Sequence, residues 1–454
     1  MNQFPFSITI NSIAANDEPQ TLRCIGMLRA MDRKRNVYDA LWHQRPVIVK
    51  LFIDPLKARY HGKREWRGLK ILQQRGLNAP KPLLYGKTER GGWAVVAEKI
   101  TDAFTVRELY DATADTDGKA ELISAVVAEL AAQHSNGVIQ TDLHLGNFLL
   151  KDRTVFALDP AGMRFISSQL PKSKSISYVA LLTSIFPDEH RDSVDEIFRH
   201  YADVRSWTLS RLDWARLDKQ LKFWRKNGIR RALKKCLRTN RRCRQIKQPG
   251  WRGVAANEFF ETGDIKQFLE KIDELMQAGK ILKDGNTCFV SIVNRAGRDI
   301  VIKRYNHKGL FHSFRHTTKR SRARRNWVHA NRLCLLDIPT PKPIAYLEYK
   351  KGLLVWKSYF ITQYVLSQNL HAFLNDKAVT EDRRRDIMTQ IEKLLNRLTR
   401  NRITHGDLKQ TNILVTTDGP VLTDLDSMRT HRYNCTIGDH REEDMNRLRG
   451  GPKE

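Results

Sequence analysis

The chain is sparing with cysteine and long apolar runs, and its acids fall well short of its bases. Six cysteines in 454 residues (24, 236, 243, 288, 334 and 435) fall singly, with no C-x-x-C pair and no histidine at ligand spacing. That pattern argues against a disulfide scaffold or zinc ribbon and predicts reduced thiols in a cytosolic protein. The longest apolar runs, such as ISYVALLTSIF at 176–186, are far shorter than the ~20 residues of a membrane-spanning helix. The opening MNQFPFSITINS has no basic segment followed by an apolar one, so no signal peptide is expected. With 41% hydrophobic and 28% charged residues the composition is that of a globular protein rather than a disordered chain. The length predicts two or three domains at roughly 150 residues each.

Lysine and arginine number 79 against 50 aspartates and glutamates, a net charge of +29. The surplus is concentrated. Residues 219–257 contain 14 Lys/Arg and no acid, and residues 300–336 contain 10 and no acid. Runs of one sign repel themselves unless they meet an anionic partner. Nucleic acid, anionic lipid head groups and a phosphorylated glycan are the candidates. Trp224, Trp251 and Trp327 are not interleaved with the bases as a stacking platform would require, which disfavours nucleic acid.

The chain also repeats itself. VIQTDLHLGNFLL at 138–150 parallels ITHGDLKQTNILV at 403–415, with Asp142 and Asp407 separated by 265 positions, as are Asn147 and Asn412. Twelve residues after each asparagine, beyond a β-type run, stand Asp159 and Asp424. Upstream, REWRGLKILQQRGLNAPKPLLYG at 64–86 parallels RNWVHANRLCLLDIPTPKPIAYL at 325–347, and RPVIVKLF parallels RDIVIKRY, setting Lys50 against Lys303. Landmarks in one order with nearly constant offset indicate a duplicated domain.

Periodicity gives each copy strands around its lysine, a tryptophan-bearing helix ended by a P-K-P break, a further strand, a long helix, and a polar loop holding D-L-x-x-x-N. This is an α+β two-lobe architecture, a small sheet lobe followed by a helical lobe with the polar loop between. An aspartate, an asparagine five residues later, a strand, another aspartate and an upstream strand lysine form a phosphoryl-transfer layout. The transferred group carries dispersed negative charge, so catalysis is mostly positioning and neutralisation. The loop aspartate can accept a hydroxyl proton. The asparagine and second aspartate can hold Mg²⁺. The lysine can reach phosphates, oriented by a helix glutamate.

On these residues the chain resembles the protein-kinase-like superfamily. It looks most like the bacterial lipopolysaccharide core kinases, the heptose and Kdo kinases and their InaA-like relatives. The E-W-R helix with its P-K-P exit, the TDLHLGNFLL loop and the HGDLKQTNIL…DLD block carry the resemblance. It implies two tandem kinase-like domains, each with a small β-rich N-lobe and a helical C-lobe. The expected bounds are 1–225 and 271–454, flanking a basic helical junction at 226–270. In the first copy Lys50 would bind phosphates with Glu65 as its helix partner, Asp142 would be the base, and Asn147 and Asp159 the metal ligands. Lys303, Asp407, Asn412 and Asp424 match them in the second. ATP and Mg²⁺ are the implied cofactors.

Departures from the family pattern are informative. No G-x-G-x-x-G precedes either lysine: only Gly26 and Gly285 occur in the matching hairpins, so a looser hairpin would cover the ATP phosphates. Gln140 replaces the usual histidine, which the second copy keeps as His405. Asn326 stands where Glu65 does, which predicts a weakened or non-catalytic second copy. Asp426 could share the metal ion but reads first as a turn residue, His134 reads as a packing or capping histidine, and Trp66 and Trp327 as core anchors. His307, His312, His316 and His329 share no single face and are not expected to bind metal.

The implied activity is ATP-dependent phosphorylation of a sugar hydroxyl of the lipopolysaccharide inner core. The enzyme would be cytoplasmic and peripheral to the anionic inner-membrane surface. An atypical protein or other small-molecule kinase, and a tandem pseudokinase scaffold binding an anionic partner, are the alternatives.

Overall fold

The computed structural model describes residues 4–13, 18–31, 33–261, 263–306, 320–352, 354–431 and 437–450. His307, His312 and His316 lie outside them. The chain divides into two compact units, Met1–Asn227 and Gly228–Glu454, each mixing α and β structure.

The first unit opens with strands β1 (Phe6–Ser12), β2 (Gln20–Met31), β3 (Arg35–Trp42) and β4 (Arg45–Phe52). Helix α1 (Ala58–Gln74) follows, then strands β5 (Pro82–Thr88) and β6 (Trp93–Glu98). The strands close into an antiparallel barrel, because β1 pairs with both β2 and β5. Closure requires a glycine: a Cβ on Gly86 would lie 2.1 Å from the Asn11 carbonyl oxygen. Alternation along β4 decides what faces what. Val47 and Val49 are buried with Ile10, Leu22, Ala94 and Val96. Lys50 and Phe52 fall on the other side, where Phe52 packs beside Trp66 of α1 and Tyr85.

The helical part of this unit is built around Thr116–Ser135, capped by Asp115, whose side chain accepts a hydrogen bond from Gly118 N at 2.6 Å. Helices Lys172–Thr183 and Arg191–Val204 surround it with Ile176, Val179, Ile197 and Phe198. Each fully buried aliphatic side chain of this kind contributes about 1.5–3 kcal/mol.

In the second unit the sheet is open and has seven strands. The lysine strand is Arg298–Tyr305, and helix Arg322–Leu335 takes the place of α1. Ile300 and Ile302 face helix Ile265–Ala278, packing with Phe268, Leu269 and Ile272. By alternation Lys303 points the opposite way, towards helix Arg322–Leu335, as does Tyr305, which is buried with Trp327. The long helix Glu381–Arg400 is amphipathic: Ile387, Ile391, Leu394, Leu395 and Leu398 are buried. Its first turn holds Glu381 and Asp382 and its last turn Arg397 and Arg400, matching the helix dipole.

Residues 226–270, expected as a helical junction, are more varied. Helix Arg211–Lys235 ends there, but Cys243–Gln248 and Trp251–Ala256 form a hairpin whose second strand pairs with Pro343–Lys351 at the edge of the sheet. The turn is Pro249–Gly250, with Gly250 at φ +70°. The density of arginine hides the β-type run in the sequence.

Candidate active site

In the first unit β4 delivers Lys50 and α1 delivers Glu65, whose side chain is 1% exposed. Lys50 Nζ lies 2.5 Å from Glu65 Oε1 and also donates to Asp159 Oδ1. Burial disfavours the charged lysine, but the Glu65 and Asp159 carboxylates outweigh it and raise its pKa. Burial would likewise raise that of Asp159, yet Lys50 and Arg35 bring it down to about 2. Arg35, which sequence reasoning did not single out, places Nη2 3.6 Å from Asp159 Oδ2. Asp159 adopts the left-handed conformation (φ 52°, ψ 55°), costing about 1–2 kcal/mol for an L-residue. The helix comes close to this turn because residue 68 is glycine: a Cβ there would be 2.7 Å from Pro160 Cβ. Ala161 N then donates to Glu65 Oε2 at 3.3 Å.

The D-L-x-x-x-N loop is tied to the same turn. Leu158 N donates to Asn147 O at 2.8 Å, and Asn147 Nδ2 donates to the Asp142 carbonyl at 2.9 Å. With that amide nitrogen engaged, the Asn147 side-chain oxygen is the atom available to a cation. The Asp142 carboxylate is 83% exposed, with His144 Nε2 3.7 Å away. Gln140, in the usual histidine position, is 2% exposed and donates to Gln133 Oε1 at 3.1 Å. Gln133 in turn donates to Glu129 Oε1 at 2.9 Å. Burial pushes the Glu129 carboxyl up to about 7 against that hydrogen bond.

The second unit reproduces the loop closely. Asn412 Nδ2 donates to the Asp407 carbonyl at 2.8 Å, and Thr423 N donates to Asn412 O at 2.9 Å. Asp424 is again left-handed, at φ 52°, ψ 62°. Lys409, the counterpart of His144, holds Nζ 3.0 Å from Asp407 Oδ1. His405 is fully buried and bonds the Thr423 carbonyl through Nε2 at 2.9 Å. Asp444, unforeseen in the sequence, accepts from His405 N at 2.7 Å and Gly406 N at 2.8 Å, fixing the loop's entry.

The lysine site differs. Lys303 Nζ lies 2.8 Å from Asp424 Oδ1 and 3.2 Å from Asp426 Oδ2. Asp426, read from sequence as a turn residue, therefore supplies a carboxylate to the lysine. The missing helix acid does not leave Lys303 with a single partner. Asn326 is 2% exposed and donates to Asp426 Oδ1.

Lipopolysaccharide kinase (Kdo/WaaP) is the family whose model matches the chain, over residues 14–164 and again over 273–450. The chain belongs to that family. Its two matched segments are two tandem copies, and each contains one of the constellations just described. No curated protein matches the chain. As a lipopolysaccharide kinase family member the protein is a kinase, and ATP use follows from the family. Among the described residues no three His, Cys, Asp or Glu converge as a metal cluster. A Mg²⁺ shared with substrate phosphates needs only one or two carboxylates, and the oxygen donors of Asn147 with Asp159, and of Asn412 with Asp424, fit it.

His329 is half-buried in helix Arg322–Leu335, where desolvation and then Arg332 and Arg325 lower its pKa to about 4. His134 is fully buried, with Nδ1 2.8 Å from the Tyr201 hydroxyl. Trp327 is buried, whereas Trp66 is only half-buried and stacks on Tyr85 at 6.0 Å. The equal spacing of His144 and Lys409, two residues after each loop aspartate, was the available signal for those two side chains. Arg35 and Asp444 have no partner at the same offset, so the repeat carried no signal for them.

Proposed function

We propose that the protein is an ATP- and Mg²⁺-dependent phosphotransferase acting on a sugar hydroxyl of the lipopolysaccharide inner core, and that both units are protein-kinase-like domains. The observation that carries this reading is the triad of Lys50, Glu65 and Asp159, joined through Leu158 and Asn147 to a loop presenting an exposed Asp142. Buried lysine–carboxylate sites are costly to keep as structure, since apolar replacement is often neutral or stabilising.

In this reading Lys50 binds the α- and β-phosphates, and Glu65 with Arg35 holds the lysine and Asp159 in register. Mg²⁺, held by Asp159 and Asn147, would neutralise phosphate charge and orient the γ-phosphoryl group. Asp142 accepts the proton of the sugar hydroxyl as its oxygen bonds to the γ-phosphorus and the bond to ADP breaks. High exposure of Asp142 suits a bulky glycolipid acceptor, because the base need not sit in a closed pocket.

Phosphate transfer from labelled ATP to purified core glycolipid tests this. Asp142→Ala is expected to cost at least about a hundredfold in the transfer carried by the first copy while melting within about 0.5 kcal/mol of wild type, as exposed sites do. Asp407→Ala, measured in parallel, assigns the transfer to one copy or both. Wild-type rates in the variant lacking both aspartates would sink the assignment.

A further inference from the structure

Taken by position, the second copy has lost the acid that orients its lysine. The side chains say otherwise. Asp426 directs both carboxylate oxygens at four donors. Oδ1 accepts from the Tyr305 hydroxyl at 2.6 Å and from Asn326 Nδ2, and Oδ2 accepts from Lys303 Nζ at 3.2 Å and Arg322 Nη2 at 2.5 Å. A carboxylate offers about four lone-pair sites, so Asp426 has none left for a cation. Asp424 pairs with Lys303 through Oδ1 and keeps that capacity.

The charge balance matches the first copy. There, Lys50 and Arg35 face Glu65 and Asp159. Here, Lys303 and Arg322 face Asp424 and Asp426. Each site holds two cations and two carboxylates, although two of the four groups have changed place in the chain. The helix that supplied the acid in the first copy supplies an arginine and an amide in the second, and the acid has moved to the turn after Asp424. A purely structural lysine would need one counter-charge, and Asp424 already provides it. The second carboxylate, itself anchored by three further side chains, fixes where the ammonium points.

We infer that Asp426 is the positioning residue of Lys303, standing in for the helix glutamate, so that the second copy keeps a nucleotide-phosphate site of the same kind as the first. The inference rests on the reading that Lys50 and Lys303 bind ATP phosphates. In the first copy the lysine is set by the helix directly. In the second it is set by the turn that also carries Asp424, and the helix acts on it only through Asp426.

An acylating ATP probe, whose reactive phosphate anhydride transfers its acyl group to lysines beside the bound phosphates, tests this on the full-length protein. Peptide mass spectrometry reads Lys50 and Lys303 separately, and excess Mg²⁺–ATP defines specific labelling. Wild type is expected to be labelled at both. Asp426→Asn, nearly isosteric, should reduce Lys303 labelling about tenfold or more through misplacement of the ammonium. Adding Asn326→Glu, which restores the arrangement of Glu65, should recover most of it, and a merely structural role for Asp426 predicts no such rescue. Asp426→Glu, which keeps the charge, should retain more labelling than Asp426→Asn. Should the buried glutamate unfold the double variant, that last comparison decides, and equal loss in both variants overturns the inference. So does full labelling in Asp426→Asn, or failed rescue in a double variant that melts normally. Labelling of Lys50 without Lys303 in wild type also overturns it while leaving the proposed function standing. Labelling of neither would sink the nucleotide reading itself.

Discussion

Gln140 and His405 solve one problem with different chemistry. Each enters the loop that carries the aspartate of its copy. His405 reaches forward to the Thr423 carbonyl beside Asp424, whereas Gln140 reaches back through Gln133 to Glu129 in the long helix. The second route leaves a buried carboxyl whose pKa is raised to about 7, above the about 4.3 of an unfolded glutamate. Between those values the unfolded chain releases its proton and the folded one does not, so stability at this site is complete below about pH 4 and is lost as pH rises through about 7. Glu129→Gln should therefore melt about 5 °C or more above wild type at pH 8 and close to it at pH 4; thermal melts at the two values check this. At this scale the sequence was legible where a residue keeps its place in both copies. Lys50 meets Asp159 as Lys303 meets Asp424, and Asn147 and Asn412 clasp their aspartates alike. Asp426 was not legible, because it does the work of a residue one hundred positions upstream. Only the folded chain brings those two positions to the same lysine.

Among the elements, the lysine strands, the tryptophan helices and the long helices lie where their periodicity puts them. Strand β1 and the hairpin at 243–256 escaped notice: β1 pairs with β5 and Trp251–Ala256 pairs with the matching strand Pro343–Lys351, so the two occupy equivalent places in the folded chain, but their short runs share no recognisable sequence. Helix Arg211–Lys235 was visible chiefly as charge. Its Lys219, Lys222 and Lys226 are exposed along one side with Phe223, itself 52% exposed. This pattern suits an anionic surface, where each basic side chain contributes about 1 kcal/mol. Lys219→Ala, Lys222→Ala and Lys226→Ala together should weaken binding to phosphatidylglycerol vesicles roughly a hundredfold at low salt. Co-sedimentation checks it. Unchanged binding would remove this helix from any membrane contact.

At the scale of the whole molecule, duplication explains both the length and the pairing of motifs, and the family matches fall on the two copies separately. The copies are not interchangeable. One has a closed barrel and a helix-borne acid, the other an open sheet, a turn-borne acid and the strongest concentration of positive charge. No helix among the described residues is long and apolar enough to cross a membrane. The central claim, that the protein phosphorylates the lipopolysaccharide core, is tested most directly by mass spectrometry of core oligosaccharide from cells lacking the gene. The account predicts a core short of one phosphate, restored by the wild-type gene but not by one encoding alanine at both 142 and 407. A core of unchanged phosphate content would contradict it.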